Sequence, residues 1–175
     1  QLKLPNSYSL EHAVYVENTQ KITSRLKLRY GLRFSAFQNM GKAVLYSYDS
    51  NYEVAGEENI PSGEIYNTYF SLEPRLGATY LLSPSSSLKA SYSRTAQYLH
   101  LASNSTSGMP LDVWFASSPN VKPQQCDQFA AGWFKNLSNN AIEVSVEAFY
   151  KNMQHSIDFK DYANLLLNEN MEGEL

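Results

Sequence analysis

Residues 21–35 alternate between apolar and polar side chains, and this pattern constrains the fold more than any other feature of the chain. Successive side chains of a strand point to opposite faces, so the alternation gives one apolar face and one basic face. About 15 residues exceed the roughly 5 to 6 of an ordinary globular strand, and a tilted strand needs only about 9 to 11 to cross a bilayer. The pattern is typical of a transmembrane β-barrel strand between lipid and a polar lumen.

The same alternation recurs in five further segments, at residues 7–17, 68–82, 88–98, 125–135 and 141–151. Short turns join these segments in pairs, whereas longer polar loops, at residues 38–66, 99–124 and 152–175, separate the pairs. Short turns at one end and long loops at the other are typical of outer-membrane barrels. We therefore predict an all-β fold, an antiparallel up-and-down transmembrane β-barrel fragment of about six strands.

The first hairpin carries opposite charges on its polar face. If the chain turns near residue 19, Glu17 lies opposite Lys21. The same register places Glu11 opposite Lys27. Each such cross-strand pair contributes roughly 0.2 to 1 kcal/mol. This register predicts that acids on the first strand partly neutralise the cations of the second.

Composition and residue spacing exclude several classes of function. The net charge of −3 does not indicate a basic surface for binding nucleic acid. The single cysteine, Cys126, has no partner for an internal disulfide. The histidines, His12, His100 and His155, are widely spaced and match no metal-ligand pattern. We predict no metal, no cofactor and no nucleic-acid partner, and because no nucleophile pattern is present, no enzyme activity.

Several short motifs have a family likeness: Tyr30-Gly31-Leu32-Arg33, Glu73-Pro74-Arg75, Tyr92 with Arg94, Tyr98-Leu99, Pro110-Leu111-Asp112, Pro123-Gln124 and Tyr150-Lys151. With them, the chain resembles the barrel of TonB-dependent receptors of the Bacteroidota. The resemblance implies a barrel of about 22 strands with a plugged lumen in the bacterial outer membrane. It also implies active import of a scarce nutrient. Because no plug and no TonB box are recognised, we expect the chain, residues 1–175, to be part of one barrel domain.

The resemblance also implies partners. These are TonB, through the missing plug and TonB box of the parent protein, outer-membrane lipid and a small nutrient ligand, with a surface lipoprotein as an optional further partner. A glycan or a siderophore is the expected class of ligand, with the glycan favoured because receptors of this group often import glycans.

Two sets of candidate site residues follow. Aromatic side chains of the predicted extracellular loops could stack on a ligand: Tyr46, Tyr48, Tyr52, Trp114 and Phe115. Charged side chains of the strands are expected to form a lumen-facing polar network: Glu11, Glu17, Arg25, Lys27, Arg29, Arg33, Glu73, Arg75, Glu143 and Glu147. The basic stripe within this network consists of Arg25, Lys27, Arg29 and Arg33. It either forms a path for an anionic ligand or pairs with neighbouring acids, and we favour pairing.

Two other functions fit the alternation. A passive outer-membrane porin has the same strand pattern but no plug. A soluble β-sandwich binding module has alternating strands too, but it would fold in water without detergent, whereas a barrel fragment would expose a large apolar patch.

Overall fold

The computed structural model describes residues 7–50, 53–103, 112–139 and 141–157. All of the regular structure in these ranges is β-strand. The strands are β1 (Tyr8–Lys21), β2 (Leu26–Met40), β3 (Ala43–Tyr48), β4 (Val54–Ile60), β5 (Ile65–Ser83), β6 (Ser86–Gln97), β7 (Leu99–Ser103), β8 (Asp112–Ala116), β9 (Gln124–Leu137) and β10 (Ile142–Gln154). No helix within the described residues is long and apolar enough to cross a membrane.

Six strands form one antiparallel sheet in the order β1-β2-β5-β6-β9-β10. Each of the six strands predicted from alternation corresponds to one strand of this sheet, and the predicted antiparallel, all-β fold is confirmed. The outer strands β1 and β10 each have one neighbour, so the barrel is not closed within the described residues.

The first turn lies further along the chain than predicted. Residues 22–25 form it, and the Thr23 hydroxyl accepts hydrogen bonds from the backbone N–H groups of Arg25 and Leu26, at 3.2 and 3.0 Å. Glu17 therefore faces Gly31, and the predicted pairing of Glu17 with Lys21 is wrong.

The predicted pairing of Glu11 with Lys27 is also wrong, since Lys27 lies opposite Lys21 and Glu11 lies opposite Phe37. The error has a simple cause. Alternation fixes the face of a residue, but the length of the turn fixes its partner.

Two of the predicted long loops contain hairpins of their own. The strands β3 and β4 pair within residues 38–66, and β7 pairs with β8 within residues 99–124. The third predicted loop begins as strand, because β10 continues to Gln154, and residues 158–175 lie outside the described chain.

Within the described ranges, the large side chains of the sheet's apolar face are not packed into a core. Many of these side chains are exposed, among them Val16, Leu32, Phe70 and Val146. The buried apolar residues of the described chain, Phe37, Ile60, Tyr98 and Val121, lie elsewhere. A continuous exposed apolar face is what a membrane-spanning sheet presents to lipid.

The apolar side chains of this face form a belt, and this apolar belt crosses the sheet diagonally. On β1 it extends from Val16 to Tyr8, and on β10 from Ile142 to Tyr150. One lateral row of partners joins Asn18, Tyr30, Leu76, Tyr92, Phe129 and Tyr150. On β1, the residue of this row lies beyond the turn-side end of the belt. On β10, the residue of the same row forms the loop-side end of the belt. A belt that shifts from strand to strand is expected when the strands are tilted in the membrane.

Candidate functional site: the polar face and the loop end

The second face of the sheet collects the charged side chains. The strand register places nine of the ten residues of the predicted polar network on this face. Arg25, the tenth, lies in the turn before β2, so the register does not assign it to a face. Small residues such as Gly77, Ser91 and Ala130 lie side by side at its centre. With the long side chains around them they line an open concavity of about 900 Å³.

Two of the four basic stripe residues are paired with acids. Arg29 Nη2 lies 2.9 Å from a Glu17 carboxylate oxygen, and Arg33 Nη2 lies 3.1 Å from Glu11 Oε1. Arg33 Nε also lies 3.4 Å from Glu73 Oε1, as an ion pair without hydrogen-bond geometry. Both pairs with β1 are diagonal, because Glu17 lies directly opposite Gly31 and Glu11 lies directly opposite Phe37. A Cβ on Gly31 would lie only 3.3 Å from the Glu17 Cγ, so glycine leaves room for this side chain.

The turn half of the polar face is more strongly basic. Lys21 lies opposite Lys27, and Thr79 separates Lys27 from Lys89 in the same lateral row. Among the described residues, neither Lys27 nor Arg25 forms an ion pair. Clustered cations with few compensating acids attract anionic groups.

The acids of β10 lie at the far side of this face. Glu147 is opposite Gly132, and a Cβ on Gly132 would lie 2.9 Å from the Glu147 Cγ. In the described part of the chain, Glu143, Glu147 and Arg75 form no ion pair. The two acids share a face with the cations, but they form no ion pair with any cation among the described residues.

The loop half of the polar face is buried rather than open. Residues 98–100 and 117–121 fold against β2 and β5, and together with Ser35, Phe37 and Asn39 we call this region the loop-end clamp. Ser35 is fully buried, and its Oγ lies 3.0 Å from Glu73 Oε1 and 2.8 Å from the Tyr98 hydroxyl. The Phe37 and Tyr98 rings stack with centroids 4.9 Å apart.

In the predicted alternation of residues 88–98, Tyr98 shares the apolar face with Leu88 and Tyr92, and this prediction is wrong for Tyr98. The strand β6 ends at Gln97 and β7 begins at Leu99, so the alternation is interrupted at Tyr98. Its side chain points to the polar side instead, where it is buried against Phe37.

Hydrogen bonds of residues 117–121 connect the clamp to the sheet. Asn39 Nδ2 donates to the Ser117 carbonyl at 2.7 Å, and the Tyr69 hydroxyl donates to the Ser118 carbonyl at 2.8 Å. Asn120 Nδ2 donates to the Tyr46 carbonyl at 3.0 Å, so this segment also connects the sheet with the β3–β4 hairpin.

His100 lies inside the clamp. It is 4% exposed, and its Nε2 lies 2.9 Å from Ser117 Oγ. Its ring centroid lies 5.4 Å from that of Phe115. Burial lowers the pKa of His100 below its ordinary value, because the buried site disfavours the charged imidazolium.

The predicted ligand-contact aromatics have different environments. Trp114 is 68% exposed on β8, whereas Phe115 packs against His100 and so has a structural contact. Tyr46 and Tyr48 are half-buried on β3, and Tyr52 lies outside the described residues.

Sequence reasoning missed the polar residues of the clamp, such as Ser35, Asn39 and Ser117. A signal was present in β2, where the cations end at Arg33 and uncharged residues continue on the same face. No group of three or more His, Cys, Asp or Glu side chains is arranged to hold a metal ion within the described ranges.

Comparison with known proteins assigns the family. No curated protein and no solved structure matches the chain. Residues 5–173, nearly all of the 175 residues, match the family described as TonB dependent receptor-like, beta-barrel. The chain therefore belongs to the β-barrel family of TonB-dependent receptors, which implies part of an outer-membrane receptor for nutrient uptake.

Proposed function

We propose that the chain forms part of the barrel wall of a receptor that binds a nutrient at its loop end and imports it actively. The observation that carries this proposal is the family match over residues 5–173. The six-stranded sheet with one apolar and one charged face supports it. Energy would come from TonB through a plug domain carried elsewhere in the parent protein.

The loop end supports a ligand with flat or ring-shaped apolar surfaces, and we propose the glycan or siderophore class. Trp114 is 68% exposed at this end and is available for stacking. Tyr46, Tyr48 and Tyr52 belong to the neighbouring β3–β4 region and would widen the contact surface. The resemblance to receptors of the Bacteroidota favours a glycan, and a surface lipoprotein could then cover the ligand.

The charged polar face has a second proposed role. Arg29 and Arg33 are occupied by acids, which supports a structural polar network there. Arg25 and Lys27 form no ion pair with any described residue, and they are the stripe residues that suit an anionic group.

A passive porin is the second candidate, since it too needs a polar lumen. A soluble β-sandwich is disfavoured, because it needs a second layer on the apolar face, and the large side chains of that face are exposed among the described residues. Energy dependence separates the first two candidates.

The test measures uptake by cells that express the complete parent protein, using fluorescent maltoheptaose and iron-loaded ferrichrome as probes. We expect uptake of one probe, and its loss when TonB is deleted. Uptake that is insensitive to TonB would identify a porin, and no uptake of either probe would refute the proposed ligand class.

A substitution tests the loop-end contact. Trp114→Ala should weaken probe binding by about tenfold, on the order of one desolvated aromatic contact. Phe70→Ala is the matched control, because Phe70 is a similarly exposed aromatic residue on the apolar face. Equal effects of the two substitutions would contradict a specific role for Trp114.

A further inference from the structure

One polar cluster lies on the apolar face of the sheet. Arg94 and Asp127 are direct partners on β6 and β9, and they share this face with Tyr92 and Phe129. Arg94 Nε lies 2.8 Å from Asp127 Oδ1, and Arg94 Nη2 lies 2.9 Å from Asp127 Oδ2. The Tyr92 hydroxyl donates to Asp127 Oδ1 at 2.7 Å. None of these side chains belongs to the polar face or to the loop-end clamp.

The cluster lies at the loop-side edge of the apolar belt. Tyr92, Phe129 and Tyr150 form the last apolar row on β6, β9 and β10, and Arg94 and Asp127 form the next row. On β9 the turn-side end of the belt is Leu137, the direct partner of Ile142. The distance from Leu137 to Asp127 along the membrane normal is roughly 23 Å, at about 3.3 Å per residue and a tilt of about 45°. A barrel's apolar band is about 25 Å tall, so the cluster lies at the membrane interface.

An apolar depression adjoins the cluster on the same face. It has a volume of about 510 Å³ and lies over Ala78 and Ala90, which are direct partners on β5 and β6. Tyr30 and Tyr92 form its walls. Tyr92 belongs to both features, because its ring borders the depression and its hydroxyl binds Asp127. An apolar depression that ends at a charged group at the membrane interface matches the shape of an amphiphile.

The cluster has a free donor group. Arg94 uses Nε and Nη2 on Asp127, and its Nη1 has no hydrogen-bond partner among the described residues. Its side chain is 40% exposed, against 13% for Asp127, so the guanidinium is the accessible part of the pair. Guanidinium donors suit phosphate oxygens.

We propose that Arg94, Asp127, Tyr92 and the depression below them bind one phosphate-bearing lipid of the outer leaflet. The phosphate contacts Arg94 Nη1, and an acyl chain lies over Ala78 and Ala90. Asp127 orients the guanidinium and neutralises it while no lipid is bound, and the Tyr92 hydroxyl holds the Asp127 carboxylate in place.

The experiment measures lipid binding to the complete parent receptor in a non-ionic detergent by native mass spectrometry. The probe is dioctanoyl phosphatidic acid; dioctanoylglycerol has the same chains without phosphate, and inorganic phosphate is the headgroup alone. We expect phosphatidic acid to bind and both comparison compounds to bind at least about tenfold more weakly.

Variants separate the two parts of the site. Arg94→Gln should weaken phosphatidic acid binding by about tenfold. Asp127→Asn should retain or strengthen this binding, because the Arg94 guanidinium keeps its charge and no longer binds a competing carboxylate. Ala90→Leu should weaken binding by filling the depression. Lys151→Gln, which removes a cation from the polar face near the same end, should change nothing.

Several results would overturn the proposal. Unchanged binding to Arg94→Gln, or equal binding of dioctanoylglycerol, would mean that phosphate is not recognised. If inorganic phosphate binds as tightly as phosphatidic acid, the result would indicate an ion site rather than a lipid site. If Arg94→Gln does not fold, Ala90→Leu decides: phosphatidic acid binding that this substitution leaves unchanged would mean that Arg94 and Asp127 form a purely structural ion pair.

Discussion

The assignment of the two sheet faces can be tested with two neighbouring residues of β6. Ala90 lies on the apolar face and pairs with Ala131, whereas Ser91 lies on the polar face and pairs with Ala130. Both side chains are exposed, so neither substitution has to fit a packed core. An arginine at Ala90 would enter lipid, and an arginine at Ser91 would enter the polar lumen.

The depth of Ala90 sets the expected magnitude. Its partner Ala131 lies about 14 Å from Leu137 along the membrane normal, at about 3.3 Å per residue and a tilt of about 45°. That is close to the midplane of a band about 25 Å tall, where an arginine on the lipid face costs about 2 to 4 kcal/mol. Ala90→Arg should therefore lower the folding equilibrium constant by about 30-fold to several hundred-fold. Ser91→Arg should cost less than about 1 kcal/mol, as for other solvated surface positions.

Guanidinium chloride titration of the complete parent receptor in phosphatidylcholine vesicles measures both costs, with tryptophan fluorescence as the signal. The two variants add the same side chain at adjacent positions, so differences in side-chain entropy largely cancel. Equal costs would show that both faces meet the same environment. A larger cost for Ser91→Arg would show that the faces have been assigned the wrong way round.

Three further predictions concern the loop-end clamp. Phe37→Ala removes the buried stacking partner of Tyr98 and should cost about 3 to 5 kcal/mol; hydrogen exchange of the clamp amides should accelerate, and unchanged exchange would refute the stacking role. Asn39→Ala leaves the Ser117 carbonyl without its donor and should cost about 1 to 3 kcal/mol, which the same exchange measurement checks. His100 has a lowered pKa in the folded clamp, so folding releases protons from it. The opening free energy of the clamp should therefore fall as the pH drops below about 6.5 towards the folded pKa, and His100→Gln should remove this dependence. A wild-type opening free energy that is constant between about pH 5 and pH 7.5 would contradict the role of His100.

The sheet was predictable from sequence because one physical rule governs it. A membrane-spanning strand must be apolar on alternate residues, so Leu28, Tyr30 and Leu32 reveal their face without any knowledge of the neighbouring strands. The partners of the charged residues were not predictable in the same way. Ile22 continues the alternation in sequence but belongs to the turn, and this shifts Glu17 away from Lys21.

The loop-end clamp could not be predicted by alternation at all. Its contacts join residues far apart in the chain, such as Asn39 with Ser117 and Ser35 with Tyr98. Hydrogen bonds to backbone carbonyls need no particular residue at the accepting position, so residues 117–121 carry little sequence signal. The aromatic residues of this region were recognised, but only the fold separates the packed Phe115 from the exposed Trp114.

The diagonal path of the apolar belt explains why polar residues occur on the apolar face. Asn18 on β1 lies on the turn side of the belt, and Asn152 on β10 lies beyond its loop end, although both share the face of apolar neighbours. Because tilted strands pass through the membrane at an angle, depth depends on both the strand and the position along it. Asn18 and Asn152 thus lie near opposite edges of the belt. Arg94 and Asp127 occupy the same edge as Asn152 and form an ion pair there. Lys135 shares the face but lies at the opposite, turn-side edge, so Arg94 is the cation that a ligand at the loop-side edge would meet.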